Sequence, residues 1–293
     1  MKNDIRVLET PEELAAVEAL QRLVWPGNET EIVPVHMLRA VVHNGGLVIG
    51  AFSGERLVGF VFGFPGLEIG PQGPQLLHAS HMAGIHPDFR DGGLGFRLKR
   101  AQWQLVRRQG IARITWTYDP LQSRNANLNI AKLGAVCSTY IPNYYGKMCD
   151  GLNLGVPSDR FKVDWWVNAS RVKARLNARQ PYKLDLAHYL QAGTPFVNGT
   201  HINPDGWPIP HSTESPSRRV PLLLLEIPAD IQAIKAADMD LAVAWSAHVR
   251  GLFCDLFAQG YLVTDFVYLS GAHPRSFYVL SDGESTLSPL GEG

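Results

Sequence analysis

The chain has 293 residues, which is enough for about two domains of average size, each with its own core. Hydrophobic residues make up 45% of the sequence and charged residues 18%, a composition that argues against disorder of the whole chain. Lysines plus arginines equal aspartates plus glutamates at 27 each, so the net charge does not favour nucleic acid or an anionic membrane as a partner. Any bound anion is therefore expected to be held by a local site.

The start of the chain and its cysteines indicate the compartment. No stretch reaches about 18 consecutive apolar residues, and the first ten residues, MKNDIRVLET, lack the apolar run of a secretory signal. We therefore expect a cytoplasmic protein with no membrane partner. The three cysteines, Cys137, Cys149 and Cys254, show no CxxC spacing and are interpreted as structural thiols, so neither a disulfide framework nor a metal site is expected.

The first elements are predicted from caps and apolar runs. Thr10 as N-cap and Glu13 three residues later form a capping box, which predicts a helix from residue 11. A second helix is expected around 35–42. The apolar runs at 46–52 and 56–64, joined by Ser-Gly-Glu, predict a hairpin.

The middle of the chain alternates strands and helices. Apolar residues recur every three or four positions from Leu94, and this pattern predicts a helix that stops at Gly110. The other elements expected here are strands at 75–85, 111–118, 135–146 and 161–167 and helices at 123–134 and 170–180. The predicted order up to residue 146 is β-α-α-β-β-β-α-β-α-β, and the strand at 161–167 follows it.

The composition of the last third of the chain changes twice along the sequence. Residues 180–219 are rich in Pro, Gly, Ser and Asn and are interpreted as a connecting segment. Beyond them, a strand at 220–228, a helix at 241–256 and strands at 261–269 and 275–280 predict a small β-α-β-β module. The predicted domains are residues 1–170, a helix with the connecting segment over 171–219, and the module over 220–293.

A glycine loop between a strand and a helix is the strongest functional signal. Residues 90–95 read Arg-Asp-Gly-Gly-Leu-Gly. Glycines let successive backbone N–H groups converge on one anion, and the helix N-terminus adds partial positive charge, so phosphate is the expected ligand. The loop fits neither a Walker motif nor a complete dinucleotide fingerprint, and a flexible turn that starts a helix is the alternative.

The loop and its surroundings resemble the GCN5-related N-acetyltransferase (GNAT) superfamily. Arg90, Gly93 and Gly95 match its signature Gln/Arg-x-x-Gly-x-Gly/Ala, preceded by a strand and His-Pro and followed by an amphipathic helix. The resemblance covers residues 5–167 and extends more narrowly to a branch with an added C-terminal module. It implies a mixed α/β fold, with a mostly antiparallel twisted sheet flanked by helices and with the small C-terminal module in addition.

The resemblance also implies the cofactor and how it is bound. Acetyl-coenzyme A or another acyl-coenzyme A would be the co-substrate, with its pyrophosphate on the glycine loop and its pantetheine arm along the preceding strand. A backbone N–H from residues 82–84 would stabilise the oxyanion. The residues assigned to the cofactor are Met82, Ala83, Gly84, Ile85, Arg90, Asp91, Gly92, Gly93, Leu94, Gly95 and Asn125.

The catalytic groups depart from the superfamily pattern. Some members carry a glutamate base at the position of Ala79, and here His78 and His81 flank it as candidate bases, although each can equally be a hydrogen-bonded strand histidine. Ile130 stands where many members have a tyrosine acid. The candidate substitutes are Asn125, Asn127, Asn129, Tyr118, Tyr140, Tyr144 and Tyr145, of which Asn125 and Tyr118 are preferred, or the thiolate leaves unassisted.

Three further side chains are candidates for binding the acceptor. Arg124 can hold a carboxylate through two parallel hydrogen bonds or pair with Asp119, and Glu68 offers a carboxylate on a turn. We therefore predict an acyl-coenzyme A-dependent N-acyltransferase that transfers acetyl or succinyl to a small amine, such as an amino acid. The alternative is a non-catalytic acyl-coenzyme A-binding or regulatory protein. A homodimer is possible in either case.

Overall fold

The computed structural model describes residues 4–27, 29–71, 73–146, 155–177, 184–212 and 219–283. The prediction for Cys149 and the end of the helix at 170–180 lie outside these residues. The chain forms two compact units, Met1–Trp116 with Trp165–Asn168, and Thr117–Asp164 with Ala169–Gly293.

The first unit contains a mixed sheet with helices. Its elements are β1 Asp4–Val7, α1 Pro11–Val24, α2 Val35–His43, β2 Leu47–Ser53, β3 Arg56–Gly70, β4 Gly73–Ile85, α3 Leu94–Arg108 and β5 Arg113–Tyr118, whose last two residues belong to the second unit. The strands lie in the order β1-β2-β3-β4-β5, antiparallel except for the parallel pair β4–β5. The predicted mixed, mostly antiparallel fold is confirmed.

The first helix forms as its sequence predicts. Thr10 accepts a hydrogen bond from the Glu13 N–H, and the Glu13 carboxylate accepts one from the Thr10 N–H, so the capping box is present. The apolar face of α1 buries Leu14, Val17 and Leu20 in a core shared with Phe60 of β3. Each such side chain stabilises the fold by about 1.5–3 kcal/mol through removal from water.

The hairpin of β3 and β4 is longer than predicted, and this corrects the interpretation of Glu68. Glu68 lies within β3, opposite Gln75, and pairs with Arg113 of β5 rather than standing on a turn. Pro65 and the glycines around it suggested a break in the chain. The strand tolerates this proline and these glycines because β3 pairs with β2 only as far as Gly63. Beyond Gly63 no residue of β2 needs a backbone N–H of β3 as a hydrogen-bond donor.

The second unit contains the remaining elements. They are α4 Ser123–Ala126, which continues as a π-helix over Asn127–Lys132, β6 Val136–Ile141, β7 Arg160–Trp166, α5 Ser170–Asn177, α6 Leu186–Gln191, β8 Asn198–Ile202, β9 Pro208–Ser212, β10 Leu222–Ile227, α7 Ile231–Ala237, α8 Met239–Ala258, β11 Tyr261–Leu269 and β12 Arg275–Asp282. The last two residues of β7 belong to the first unit. The main strands lie in the order β7-β6-β11-β12-β10, and β8 pairs with β9.

The compact units do not divide at the predicted boundary near residue 170. Strand β6 pairs with β11 through Cys137 and Val263, and the ring of Phe161 in β7 packs against Phe253 and Tyr278. These contacts join residues 117–164 to the C-terminal elements. These partners lie far apart in the sequence, so local sequence patterns could not predict that they pack together.

The predicted connecting segment is more ordered than expected. It contains α6, which begins with a capping box between Asp185 and His188, and the hairpin of β8 and β9. The hairpin turns at Gly206, whose φ is +87°, while Asn203 accepts a hydrogen bond from the Trp207 N–H at 2.7 Å. Each of these elements is too short to show the regular spacing of apolar residues from which helices and strands are predicted. The C-terminal module also has two helices, α7 and α8, where one was predicted.

Helix α8 is long and apolar enough, by length and composition, to cross a membrane, with a mean hydropathy of 1.2 over 18 residues. Helices in the core of a folded domain meet the same criterion. Here Trp245, Val249 and Phe253 are buried within the second unit, and Arg250 forms two hydrogen bonds with the carboxylate of the buried Asp159. The helix is thus packed as part of this unit's core.

Candidate functional site

Strands β4 and β5 separate after a short paired stretch. Their parallel pairing consists of His78 with Ile114 and Ala79 with Thr115. On its other edge, β4 stays paired with β3 as far as Ile85. The edge of residues 80–85 that faces away from β3 is therefore outside the β4–β5 ladder, and its backbone groups can bind an extended ligand.

The loop after β4 has the geometry of an anion site. Asp91 and Gly93 both have a φ of +69°, and Gly93 directly precedes α3 as its N-cap without a side-chain cap. The first N–H groups of α3 thus point out of the helix end. A Cβ built on Gly93 would meet no protein atom within 4 Å, so the space beside the loop is open.

The base of the loop is held by groups that sequence reasoning missed. His86 is buried, its ring packs edge-on against Phe89, and its Nε2 lies 2.6 Å from Nη2 of Arg56. Its Nδ1 accepts a hydrogen bond from the backbone N–H of Asp88 at 3.3 Å and lies 3.6 Å from the Asp88 carboxylate. The exposed Arg90 points its Nε to the carbonyl of Ile85 at 3.4 Å.

His81 stands at an irregularity of β4 beside the separated edge. The register with β3 moves from Phe62–Met82 to Gly63–Ser80, so His81 is an extra residue in a β-bulge. The side chain is exposed on one side, while its ring packs against Phe62 and Phe64 at centroid distances of 5.7 and 5.9 Å. This partial burial lowers the pKa of His81, so the ring is neutral and able to accept a proton at pH 7.

His78 occupies a different environment. It is fully buried, its Nε2 lies 3.1 Å from Nε2 of Gln102, and burial lowers its pKa to about 4. A Cβ on Gly63 would lie 2.4 Å from that ring, so the glycine makes room for it. The geometry favours a packing role for His78 and leaves His81 as the accessible histidine of β4.

A buried lysine on α3 reaches the point where β4 and β5 separate. Lys99 donates from Nζ to Oγ of Ser80 at 2.6 Å, and Ser80 in turn donates to Oε1 of Gln102 at 2.9 Å. The ammonium lies 4.0 Å from the ring centroid of Trp116. Burial lowers the pKa of Lys99 to about 7. The sequence shows only a lysine in a basic helix, so this residue was not among the predicted site residues.

The candidates of the second unit differ in accessibility. The hydroxyl of Tyr118 is buried 3.2 Å from that of Tyr278, which donates to the carbonyl of Pro120 at 2.7 Å. Tyr118 therefore donates to Tyr278, and burial raises its pKa, so it is a core tyrosine rather than an accessible acid. Arg124 and Asn125 are exposed on α4.

Asp119 is held within its own turn. Its carboxylate accepts hydrogen bonds from the N–H of Leu121 at 2.8 Å and from Nε2 of Gln122 at 3.3 Å, and burial raises its pKa. These bonds fix the start of α4 and give Asp119 a structural role. Among the residues that the structure describes, no group of three or more His, Cys, Asp or Glu side chains is placed to hold a metal ion.

The strand order of the first unit, the separation of β4 from β5 and the glycine loop that opens α3 occur together, as the sequence resemblance implies. No family model matches the sequence, and no curated protein matches it either.

Among the solved structures with a similar chain path are three acetyltransferases. One is the ribosomal-protein-S18-alanine N-acetyltransferase from Escherichia coli, with 15% identity over 57% of this chain and 94% of that chain and a TM-score of 0.43. A second is an acetyltransferase of the GNAT family from Streptococcus pneumoniae, with 15% identity over 56% and 98% and a TM-score of 0.44. A third is aminoglycoside 6'-acetyltransferase type Ii, with 18% identity over 56% and 97% and a TM-score of 0.44.

Proposed function

We propose that this chain is an acyl-coenzyme A-dependent N-acyltransferase that acts on a small amine. The observation that carries the proposal is the continuous path formed by the open edge of β4, the loop with left-handed Asp91 and Gly93, and the N-terminus of α3. The helix end would hold the pyrophosphate, and the strand edge would hold the amide groups of the pantetheine arm.

In this proposal His81 takes the proton of the attacking amine. The amine nitrogen forms a bond with the thioester carbon, a backbone N–H of residues 82–84 stabilises the oxyanion, and the carbon–sulfur bond then breaks. The coenzyme A thiolate leaves without an acid, because a thiolate is a weak base.

Thiol release tests the reaction. Acetyl-coenzyme A and succinyl-coenzyme A would each be incubated with the protein and a panel of amino acids and polyamines, and free coenzyme A measured with a thiol reagent. We expect release that requires one class of amine and exceeds hydrolysis in buffer. Tight binding of coenzyme A without amine-dependent release would instead favour a non-catalytic binding or regulatory protein, an alternative consistent with the buried Ile130 at the tyrosine position.

The protonation of His81 predicts how activity depends on pH. Burial lowers its pKa below the ordinary value of about 6.5, so the base is free at pH 7 and is lost as the pH falls through the lowered pKa. We expect kcat/KM to decline on that acid limb in the wild type. His81→Gln should lower kcat by about 100-fold and remove this limb.

The matched control is His43→Gln, which changes an exposed histidine at the end of α2. It should leave the pH profile of the wild type in place. An unaltered acid limb in His81→Gln would show that another group is the base.

A further inference from the structure

Lys99 is an ionisable group without a counter-charge in the interior of the first unit. It is 5% exposed, and its described partners are the hydroxyl of Ser80 and the ring face of Trp116, with no carboxylate among them. An ammonium has three N–H donors, and the contact with Ser80 uses one of them. Buried charges are normally paired, so an unpaired one marks a candidate ligand site.

The position of Lys99 relates it to the proposed acyl site. The last paired residues of β4 and β5 are Ala79 and Thr115, and the next residue of each strand, Ser80 and Trp116, contacts Lys99. Nζ therefore lies at the closed end of the gap between the two strands. It approaches that gap from the side of the sheet covered by α3.

The direction of the cofactor brings its acyl end to the same place. The anion loop follows Ile85, so a pantetheine arm that starts there and runs along the open edge travels back toward Ser80. Five residues of strand span about 16 Å. The thioester would arrive near Ser80 and His81, and the far end of a longer acyl group would extend toward the closed end of the gap.

We propose that Lys99 binds the terminal carboxylate of a dicarboxylic acyl group, such as succinyl, and that this protein prefers such an acyl-coenzyme A to one with an apolar acyl group. This inference rests on the proposed function. The carboxylate supplies the counter-charge that the protein itself does not provide at Nζ. The cation–π contact with Trp116 orients the ammonium toward the strands.

Proton uptake gives a readout that a purely structural lysine would not show. Because burial lowers the pKa of Lys99 to about 7, much of the amine is neutral at pH 8, and a bound carboxylate would draw a proton onto it. Burial lowers the pKa of both histidines of β4 on either side of Ser80, that of His78 to about 4 and that of His81 below its ordinary value, so both rings are neutral at this pH. Proton uptake on binding at pH 8 would therefore show that Lys99 becomes protonated.

The test compares succinyl-coenzyme A with butyryl-coenzyme A, which has the same acyl length but a methyl group in place of the carboxylate. Calorimetric titrations at pH 8, in buffers of different ionisation enthalpy, give affinity and proton uptake together. We expect the wild type to bind succinyl-coenzyme A at least tenfold more tightly and to take up a proton. Lys99→Met should lose both differences and still bind free coenzyme A within twofold of the wild type.

The outcomes separate this inference from the proposed function. Equal affinity for the two compounds in the wild type would overturn the inference, and so would a preference that persists in Lys99→Met. Failure of the wild type to bind free coenzyme A or any acyl-coenzyme A would overturn the proposed function, and the inference with it.

Discussion

Gly93→Val is expected to weaken coenzyme A binding at least tenfold. The φ of +69° at this position is accessible to glycine and strained for a β-branched residue, by about 1–3 kcal/mol. A valine there would turn the first N–H groups of α3 away from a common point or place its methyl groups in the open space where the phosphate would lie. Isothermal titration with free coenzyme A measures the effect.

Gly110→Val is the matched control. Gly110 has a φ of +76° at the other end of α3, and a Cβ there also meets no atom within 4 Å. Both variants should lose similar stability, and only Gly93→Val should lose affinity. Arg90→Ala should weaken binding by less than Gly93→Val, since most of the contacts are expected from backbone. Wild-type affinity in Gly93→Val would remove the loop from the cofactor site.

Lys99→Met is expected to stabilise the protein by roughly 1–4 kcal/mol at pH 7, the range found when buried ion pairs are replaced by apolar side chains of similar volume. The pKa of Lys99 is about 7 in the folded state against 10.5 for an ordinary lysine, so the unfolded chain binds more protons between these values. This group therefore opposes folding at pH 7, and its unfavourable contribution fades as the pH rises toward 10.5.

Urea unfolding at pH 7 and pH 9 measures this effect. The difference in unfolding free energy between Lys99→Met and the wild type should shrink by about 2 kcal/mol from pH 7 to pH 9. Lys173→Met, the same change at an exposed lysine of α5, should show no comparable dependence. A difference that stays constant with pH would mean that Lys99 does not titrate in this range.

The sequence predicted those parts of the site that depend on local geometry. The capping box at Thr10 and the helix start after Gly93 follow from neighbouring residues, and both are present. Glu68 was placed on a turn because proline and glycine surround it, while a hairpin with a free outer edge accepts both.

Other site properties depend on distant packing. Tyr118 follows a strand in a polar stretch, yet it is buried because Phe161 and Tyr278, far along the chain, enclose it. The sequence around Lys99 gives no sign that this side chain is buried. Its burial arises because α3 packs on strands β4 and β5, where Lys99 contacts Ser80 and Trp116. Periodicity identifies the face of a helix, and only the assembled sheet determines what that face meets.

The bulge in β4 limits how this strand can be altered by protein engineering. Side chains of a regular strand alternate between the two faces of the sheet, so the extra residue at position 81 reverses the alternation for everything that follows it. Met82 consequently packs toward the core of α1 and α2, although Ser80 faces α3. Point-substitution libraries keep the number of residues and therefore preserve this reversal. Removing the residue at position 81 would instead place Met82 directly after Ser80 and restore regular alternation without moving Met82 from the core side, a change that no amino-acid replacement can reproduce.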